Sequence, residues 1–337
     1  MTGGGNMTVS GCCSNVLVCG GAGYIGSHMV RALVEHGYVP IIFDNLSTGH
    51  AESVGDVDLV RGDLLDRQAL RRLFAEHSFD AVMHFSAKSL VGESMTDPGI
   101  YFVNNVVGTI NLLEAMREAG VSRLVFSSSA AVFGNPLTAR IAEDHPRQPV
   151  NPYGRSKLMI EQALRDYANA YGMRSVSLRY FNAAGADEAG DIGESHKPET
   201  HLIPNVLRAA LGTGPELKIF GDDYDTPDGT CVRDYIHVAD LCDAHLRALS
   251  YMQLKPGAHA FNLGNGNGFS VKQVVEAAWR VTGRDVPHSM APRRPGDPAW
   301  LVADSTLAGR ELGWKPSFTD IDAIIDSAWR WHQKPRY

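Results

Sequence analysis

Cysteine is scarce in this chain and forms no pattern. The five present are Cys12, Cys13, Cys19, Cys231 and Cys242. An odd, thinly spread set matches neither a disulfide framework nor a zinc-ligand spacing, and the adjacent Cys12 and Cys13 read as ordinary free thiols. No metal site is expected. A basic excess is also missing: 31 Lys and Arg stand against 38 Asp and Glu, a net charge of −7. Binding to a phosphate backbone depends on clustered cations, so no nucleic-acid partner is expected. No stretch approaches the roughly 18 to 20 uninterrupted apolar residues of a membrane span, and the polar, Gly-rich opening from Met1 to Asn15 lacks the apolar core of a signal peptide. The expectation is a cytoplasmic protein with no membrane partner. Internal repeats and low-complexity tracts are absent.

What the sequence does have is bulk and rhythm. Its 337 residues are 44% hydrophobic, enough for about two domains with real cores. Apolar runs rich in β-branched residues, at Val16–Cys19, Val39–Phe43, Val57–Val60, Ala81–Phe85, Leu124–Ser127 and Val176–Arg179, read as strands. Segments with apolar residues three and four apart separate them, at Ile25–His36, Asp66–His77, Asn104–Ala119 and Tyr153–Tyr171, and read as helices. Regular β-α alternation implies an α/β fold, a doubly wound parallel (Rossmann) sheet. After Asn182 the rhythm breaks into a mixed tail suited to a smaller α/β domain over the C-terminal edge of the sheet. The expected division is residues 15–182 for a dinucleotide domain and 183–337 for a substrate domain, with about 234–264 packing back on the first sheet.

The first strand runs into Gly20-Gly21-Ala22-Gly23-Tyr24-Ile25-Gly26, which opens a helix. Gly20 permits the tight turn, Gly23 lets backbone approach a pyrophosphate, and Gly26 lets helix and strand pack closely. Asp44 ends the second strand 18 residues beyond Gly26. A carboxylate there accepts from both ribose hydroxyls and repels a 2′-phosphate, so the expected cofactor is NAD rather than NADP. Asp63, after the third strand, is placed to meet the adenine edge. Farther on, Tyr153 and Lys157 lie one helical turn apart. A phenol with pKa ~10 is a poor base at neutral pH, but a neighbouring ammonium favours the phenolate; a shift to about 7 needs roughly 4 kcal/mol of differential stabilisation. Ser129, in the run Ser127-Ser128-Ser129, supplies a hydroxyl to relay the proton.

Together the Gly-rich turn, the serine cluster and Tyr-x-x-x-Lys resemble the extended short-chain dehydrogenase/reductases. More narrowly, Asp44-Asn45-Leu46, Val91-Gly92-Glu93-Ser94, Arg179-Tyr180-Phe181-Asn182 and Asp228–Val238 resemble the UDP-glucose (UDP-galactose) 4-epimerases. The resemblance runs from about Asn15 to Trp331. It implies an NAD site lined by Gly20, Gly23, Tyr24, Ile25, Asp44, Asn45, Asp63, Leu64, Phe85, Lys88 and Asn104, with Tyr180 and Phe181 near the nicotinamide. Ser129, Tyr153 and Lys157 would be catalytic, the last two also touching NAD. A UDP-sugar would meet Ser129, Asn182, His201, Leu202, Lys218, Phe220, Arg233, Arg294 and Asp297, with Leu301 beside the sugar C2 substituent. Guanidinium forks suit a diphosphate on physical grounds alone. The implied activity is epimerisation at C4 of a UDP-hexose by a homodimer joined through Asn104–Ala119 and Tyr153–Tyr171. Departures from the family pattern are Ala131 for threonine, Phe133 for tyrosine and His201 for asparagine.

Other readings compete. Epimerisation of UDP-N-acetylhexosamines or UDP-pentoses stays open. A nucleotide-sugar 4,6-dehydratase would need an acid and a base beside the catalytic hydroxyl, where this chain has Ala130-Ala131. A non-catalytic NAD-binding regulator would not need Ser129, Tyr153 and Lys157 together.

Overall fold

The computed structural model describes residues 14–294 and 297–337; Cys12 and Cys13 lie outside the described residues. Up to Tyr180, strands and crossover helices alternate: Asn15–Cys19 (β1), Tyr24–Glu35 (α1), Val39–Asp44 (β2), Leu59–Arg61 (β3), Arg67–Glu76 (α2), Ala81–His84 (β4), Val91–Thr96 (α3), Pro98–Tyr101 (α4), Gly108–Glu118 (α5), Arg123–Ser129 (β5), Pro152–Tyr171 (α6) and Arg174–Tyr180 (β6). Then come Asn182–Ala184 (β7), Leu202–Leu211 (α7), Leu217–Phe220 (β8), Val232–Arg233 (β9), Tyr235–His237 (β10), Val238–Leu254 (α8) and Ala258–Leu263 (β11). Phe269–Ser270 (β12), Val271–Thr282 (α9), His288–Ala291 (β13), Trp300–Leu301 (β14), Thr306–Leu312 (α10) and Ile321–Gln333 (α11) complete the chain.

Seven strands form one parallel sheet in the order β11-β6-β5-β4-β1-β2-β3. β1 pairs with β2 on one side (Val18 opposite Ile42) and with β4 on the other (Val18 opposite Met83). The strand order therefore reverses beside β1, and a crevice opens at its C-terminal end. Both faces of β1 are apolar because helices cover both. Val16 and Val18 pack with Val30 and Leu33 of α1 and Leu241 and Ala248 of α8. Leu17 and Cys19 pack with Leu112 and Met116 of α5 and Leu164 of α6.

The chain returns to this sheet after leaving it. β11 lies beside β6 along its whole length, and Leu263, Ala308 and Trp314 share the core of Val16. A second core gathers Ile203 and Leu207 of α7, Ile219 of β8, Val274 and Ala278 of α9, and Ile325 and Trp329 of α11.

Two elements differ from expectation. The third strand begins at Leu59 rather than Val57, whose amide instead closes a turn onto the Val54 carbonyl. The helix expected from Asn104 starts at Pro98, a proline at the first helical position. It runs through a π-helical turn at Phe102–Val107 before α5.

Candidate functional site

The turn between β1 and α1 is built for close approach. Gly20 has φ +78°, and a Cβ on it would lie 2.6 Å from the Ser86 amide nitrogen. At Gly26 a Cβ would lie 2.1 Å from the Gly20 carbonyl oxygen, so only glycine lets α1 seat on the turn. At Gly23 the nearest atom would be 3.5 Å away, so no crowding by the protein itself requires glycine there. No side chain among the described residues caps α1, which leaves its first amides free to meet an anion. Asp44 is buried; one carboxylate oxygen accepts from the Ala22 amide at 3.0 Å, the other from the Leu46 amide at 2.8 Å. Each oxygen keeps a lone pair for a further donor. Asn45 donates to Asp63 at 2.8 Å, tying the ends of β2 and β3 together.

Tyr24 and Leu64 enter this region differently from expectation. The Tyr24 hydroxyl donates to the Gly185 carbonyl at 2.6 Å, and Leu64 packs in the core under α5. The Tyr24 hydroxyl and the Leu64 side chain are thus engaged within the protein. Lys88 and Asn104 converge on a residue the sequence did not single out. Buried Asn105 accepts from the Lys88 amide (2.9 Å) and donates to the Lys88 carbonyl (3.0 Å) and to Ser156 (3.0 Å), while Asn104 donates to its side-chain oxygen. Asn105 sits in the π-helical turn, a kind of irregularity that often marks functional sites.

Ser129 ends β5, where its hydroxyl accepts from the Ala131 amide at 3.1 Å and lies close enough to the phenol of Tyr153 to influence it. Burial pushes that phenol up and Ser129 pulls it down. The N-terminus of α6 is capped by Asn151, which accepts from the Gly154 amide at 2.8 Å, with Pro152 in the first turn. Gly154 is the contact point: a Cβ there would stand 2.3 Å from the Ala131 carbonyl oxygen. The spacing Tyr-Gly-x-x-Lys therefore seats the helix against the turn that follows Ser129. Lys157 is 3% exposed; its ammonium donates to the Ser127 carbonyl at 2.8 Å and lies 5.8 Å from the Tyr153 ring centre and 4.8 Å from that of Phe126.

Burial pushes Lys157 down to about 7, and Glu161 pulls it part of the way back. An unfolded lysine titrates near ~10.4. Between those values the unfolded chain holds the extra proton, so this group's penalty is full below pH 7 and fades as pH rises toward 10. Denaturant titrations of cofactor-free protein should therefore show the parent gaining on Lys157→Met across that window, by on the order of a few kcal/mol. A constant difference between the two from pH 6 to 10 would contradict a buried ammonium.

One turn below Lys157, a buried group that the sequence reading missed underpins the arrangement. Glu161 accepts two bonds from Arg179 (2.8 and 2.6 Å) and one from Ser128 (2.6 Å). Tyr180 follows Arg179 in β6, and Phe181 packs with Val132, Phe133, Ile141 and Leu301 in a small apolar cluster. Phe85, after β4, donates its amide to the Cys19 carbonyl at 2.8 Å beside the Gly-rich turn.

Across the cleft, Arg233 is 11% exposed at its side chain and donates to Asp297 at 2.7 Å. Arg294 lies 3.9 Å from the other Asp297 oxygen and 4.4 Å over the Phe220 ring. β14 pairs with β9, which sets Leu301 opposite Arg233. These residues come together, with two arginines sharing one carboxylate. Asn182 is held by the Asp234 carbonyl at 2.9 Å, and Leu202 opens α7. Two others are engaged elsewhere: Lys218 is exposed and bonds Glu216 and Ser289, and the His201 ring is turned to Glu194.

The crevice as a whole offers free helix amides and a buried ribose-type acceptor at one end, a Ser-Tyr-Lys cluster in the middle and paired guanidinium groups opposite. Residues 16–264 match the NAD dependent epimerase/dehydratase family. The UDP-glucose 4-epimerase of Halalkalibacterium halodurans is 51% identical over 319 residues, 95% of this chain and 96% of that one. The crystal structure of UDP-glucose 4-epimerase from Brucella ovis in complex with NAD superposes with a TM-score of 0.91 at 50% identity, covering 94% of this chain and 97% of that one. The Bifidobacterium longum enzyme in complex with NAD+ and UDP gives 0.91 at 40% identity, covering 96% and 99%.

Proposed function

Because the chain belongs to the NAD dependent epimerase/dehydratase family, and within it to the UDP-glucose 4-epimerases, we propose that the crevice residues described above divide the work of its reaction as follows. The chain is an NAD-dependent isomerase that epimerises C4 of a UDP-hexose, interconverting UDP-galactose and UDP-glucose. NAD, when bound, supplies the acceptor and donor of the hydride. Gly20, Gly23 and the backbone of Tyr24 and Ile25 receive its pyrophosphate, and Asp44 receives a ribose. Asn45, Asp63 and the Leu64 backbone flank the adenine, and Phe85, Lys88, Asn104, Tyr180 and Phe181 line the rest. The steric fit supports this, since a Cβ at Gly20 or Gly26 would collide with backbone.

Tyr153 takes the proton of the sugar 4′-hydroxyl, directly or through Ser129, and returns it after the sugar has turned over as a 4-ketone. Lys157 favours the phenolate by its charge and holds the neighbouring ribose. Arg233 and Arg294 hold the diphosphate, with Asp297 fixing the angle of Arg233. Asn182, Leu202 and Phe220 complete the nucleotide-sugar side, bordered by Lys218, held by Glu216 and Ser289, and by His201, held by Glu194. Anchoring at the diphosphate leaves the sugar loose enough to present either face. The observation that carries this reading is the convergence of Ser129, Tyr153 and Lys157 at the carboxyl ends of strands that also bear the Gly-rich turn.

Leu301, of intermediate bulk, limits the space beside C2. A panel of nucleotide-sugars followed by NMR at the C4 centre, with no NAD added, should show UDP-galactose and UDP-glucose interconverting and UDP-N-acetylglucosamine turning over poorly. NAD binding without turnover of any sugar would overturn the enzymatic reading, and equal rates on the N-acetylated sugar would overturn the role of Leu301. The chain acts as a cytoplasmic homodimer in this proposal. Exposed Val103 and Val107 beside α5 and Met159 on α6 support the pairing surface, and no described helix is long and apolar enough to cross a membrane.

A further inference from the structure

The run Glu194-Ser195-His196-Lys197-Pro198-Glu199-Thr200-His201 has the form Glu-x-His-x-x-Glu-x-His, and apart from His201 nothing above uses it. Folded between β7 and α7, it brings one nitrogen or oxygen from each of Glu194, His196, Glu199 and His201 to within 4.8 Å of the others. His196 Nδ1 is 3.2 Å from Glu194 Oε1 and 3.8 Å from Glu199 Oε2, and His201 Nδ1 contacts the same Glu194 oxygen. A tetrahedral zinc ion, with bonds of about 2.0–2.1 Å to imidazole nitrogen and carboxylate oxygen, needs donor atoms roughly 3.3 Å apart. The two separations from His196, 3.2 and 3.8 Å, are near that size, while the His201–Glu194 pair stands closer and opens to admit the ion.

The donors are also held in place. Both carboxylates are buried, with side chains 5% and 3% exposed. The second oxygen of Glu199 accepts the amides of Thr200 (2.8 Å) and His201 (2.9 Å), which turns the first oxygen toward His196. Two buried carboxylates and two neutral imidazoles balance a dication. A pair of imidazoles selects against calcium and magnesium, which take oxygen, and for zinc and its neighbours. We propose that Glu194, His196, Glu199 and His201 form a binding site for a divalent transition-metal ion of the zinc type. The ion ties this loop to the first turn of α7. It also stands behind the cofactor turn, since the His196 ring meets the Tyr24 ring edge-on at 6.5 Å. Its role is structural, and binding displaces the protons now shared between imidazole and carboxylate. The absence of a cysteine pattern hid this site, whose spacing is carried by Glu and His alone.

The test uses the full chain, stripped with chelator and titrated with Co2+ and then Zn2+. The expected result is one Co2+ per chain, visible d–d bands of a four-coordinate nitrogen and oxygen site, no thiolate charge-transfer band, and displacement by Zn2+. His196→Asn and Glu199→Gln should each weaken Zn2+ binding by ~10-fold or more, the scale already seen when only an outer partner of a ligand is removed, with circular dichroism unchanged. A thiolate band, marking Cys12 and Cys13 as the ligands, would overturn the proposal, as would affinity unmoved in both variants or no binding at all. Should a variant fail to fold, the Co2+ spectrum of the parent decides alone.

Discussion

Tyr153→Phe should lose between ~10²- and ~10⁴-fold in kcat, the range that positioned proton transfer contributes, while binding NAD and UDP as the parent does. The change deletes one oxygen. That oxygen belongs to the buried cluster of Ser129, Tyr153 and Lys157, whose ammonium lies 5.8 Å from the ring centre. The loss corresponds to roughly 3–5 kcal/mol of transition-state stabilisation. The pH profile supplies an independent readout. Burial pushes the phenol above its ordinary value, and the parent rate should climb with pH for as long as Lys157 keeps its proton. The residual rate of the Phe variant should lack that rise. Near-normal epimerisation by Tyr153→Phe would remove Tyr153 from the mechanism.

Glu161→Ala should be the most destabilising single change near the site, costing about 3–5 kcal/mol in urea titrations, the penalty for leaving a buried charge without its partner. Arg179 is 2% exposed and spends its two bonding nitrogens on Glu161; its remaining terminal nitrogen is already without a partner. Ser128 would lose its acceptor as well. Replacing both members, Glu161→Leu with Arg179→Met, should recover most of the stability, because apolar isosteres often match a buried pair. Catalysis should not recover equally, since Glu161 is the charge that keeps the Lys157 ammonium from falling further. A loss below ~1 kcal/mol in Glu161→Ala would show that the pair does not hold α6 to β6.

The first half of the fold was legible because its signals are local and periodic. Val16–Cys19 reads as a strand buried on both faces, and Asp66, accepting from the amides of Gln68 and Ala69, marks a helix start within one turn. The two-residue strands, such as Val232–Arg233 and Trp300–Leu301, were not legible: they are too short to carry a period, and their partners are distant in sequence. The start of α4 is signalled only by Asp97-Pro98, a weaker mark than the apolar repeat after Asn104. In the site, Gly20, Asp44, Ser129, Tyr153 and Lys157 could be named because their spacing reflects chemistry. Asn105, Glu161 and Arg179 could not, since a polar residue becomes informative only when burial shows that it must be paired. His201 is expected at the nucleotide-sugar, and the bond of its ring to Glu194 depends on a loop conformation that no spacing rule carries.

The order in which the chain visits its two cores bears on its synthesis. β6 has an open edge until Ala258–Leu263 has emerged from the ribosome to cover it, and the face behind β1 is incomplete until Ala308, Leu312 and Trp314 arrive. An exposed strand edge of that length invites pairing with another chain. The N-terminal half therefore cannot mature ahead of the C-terminal half in the way that independent domains do. A nascent chain halted before Ala258 is the form most in need of a chaperone.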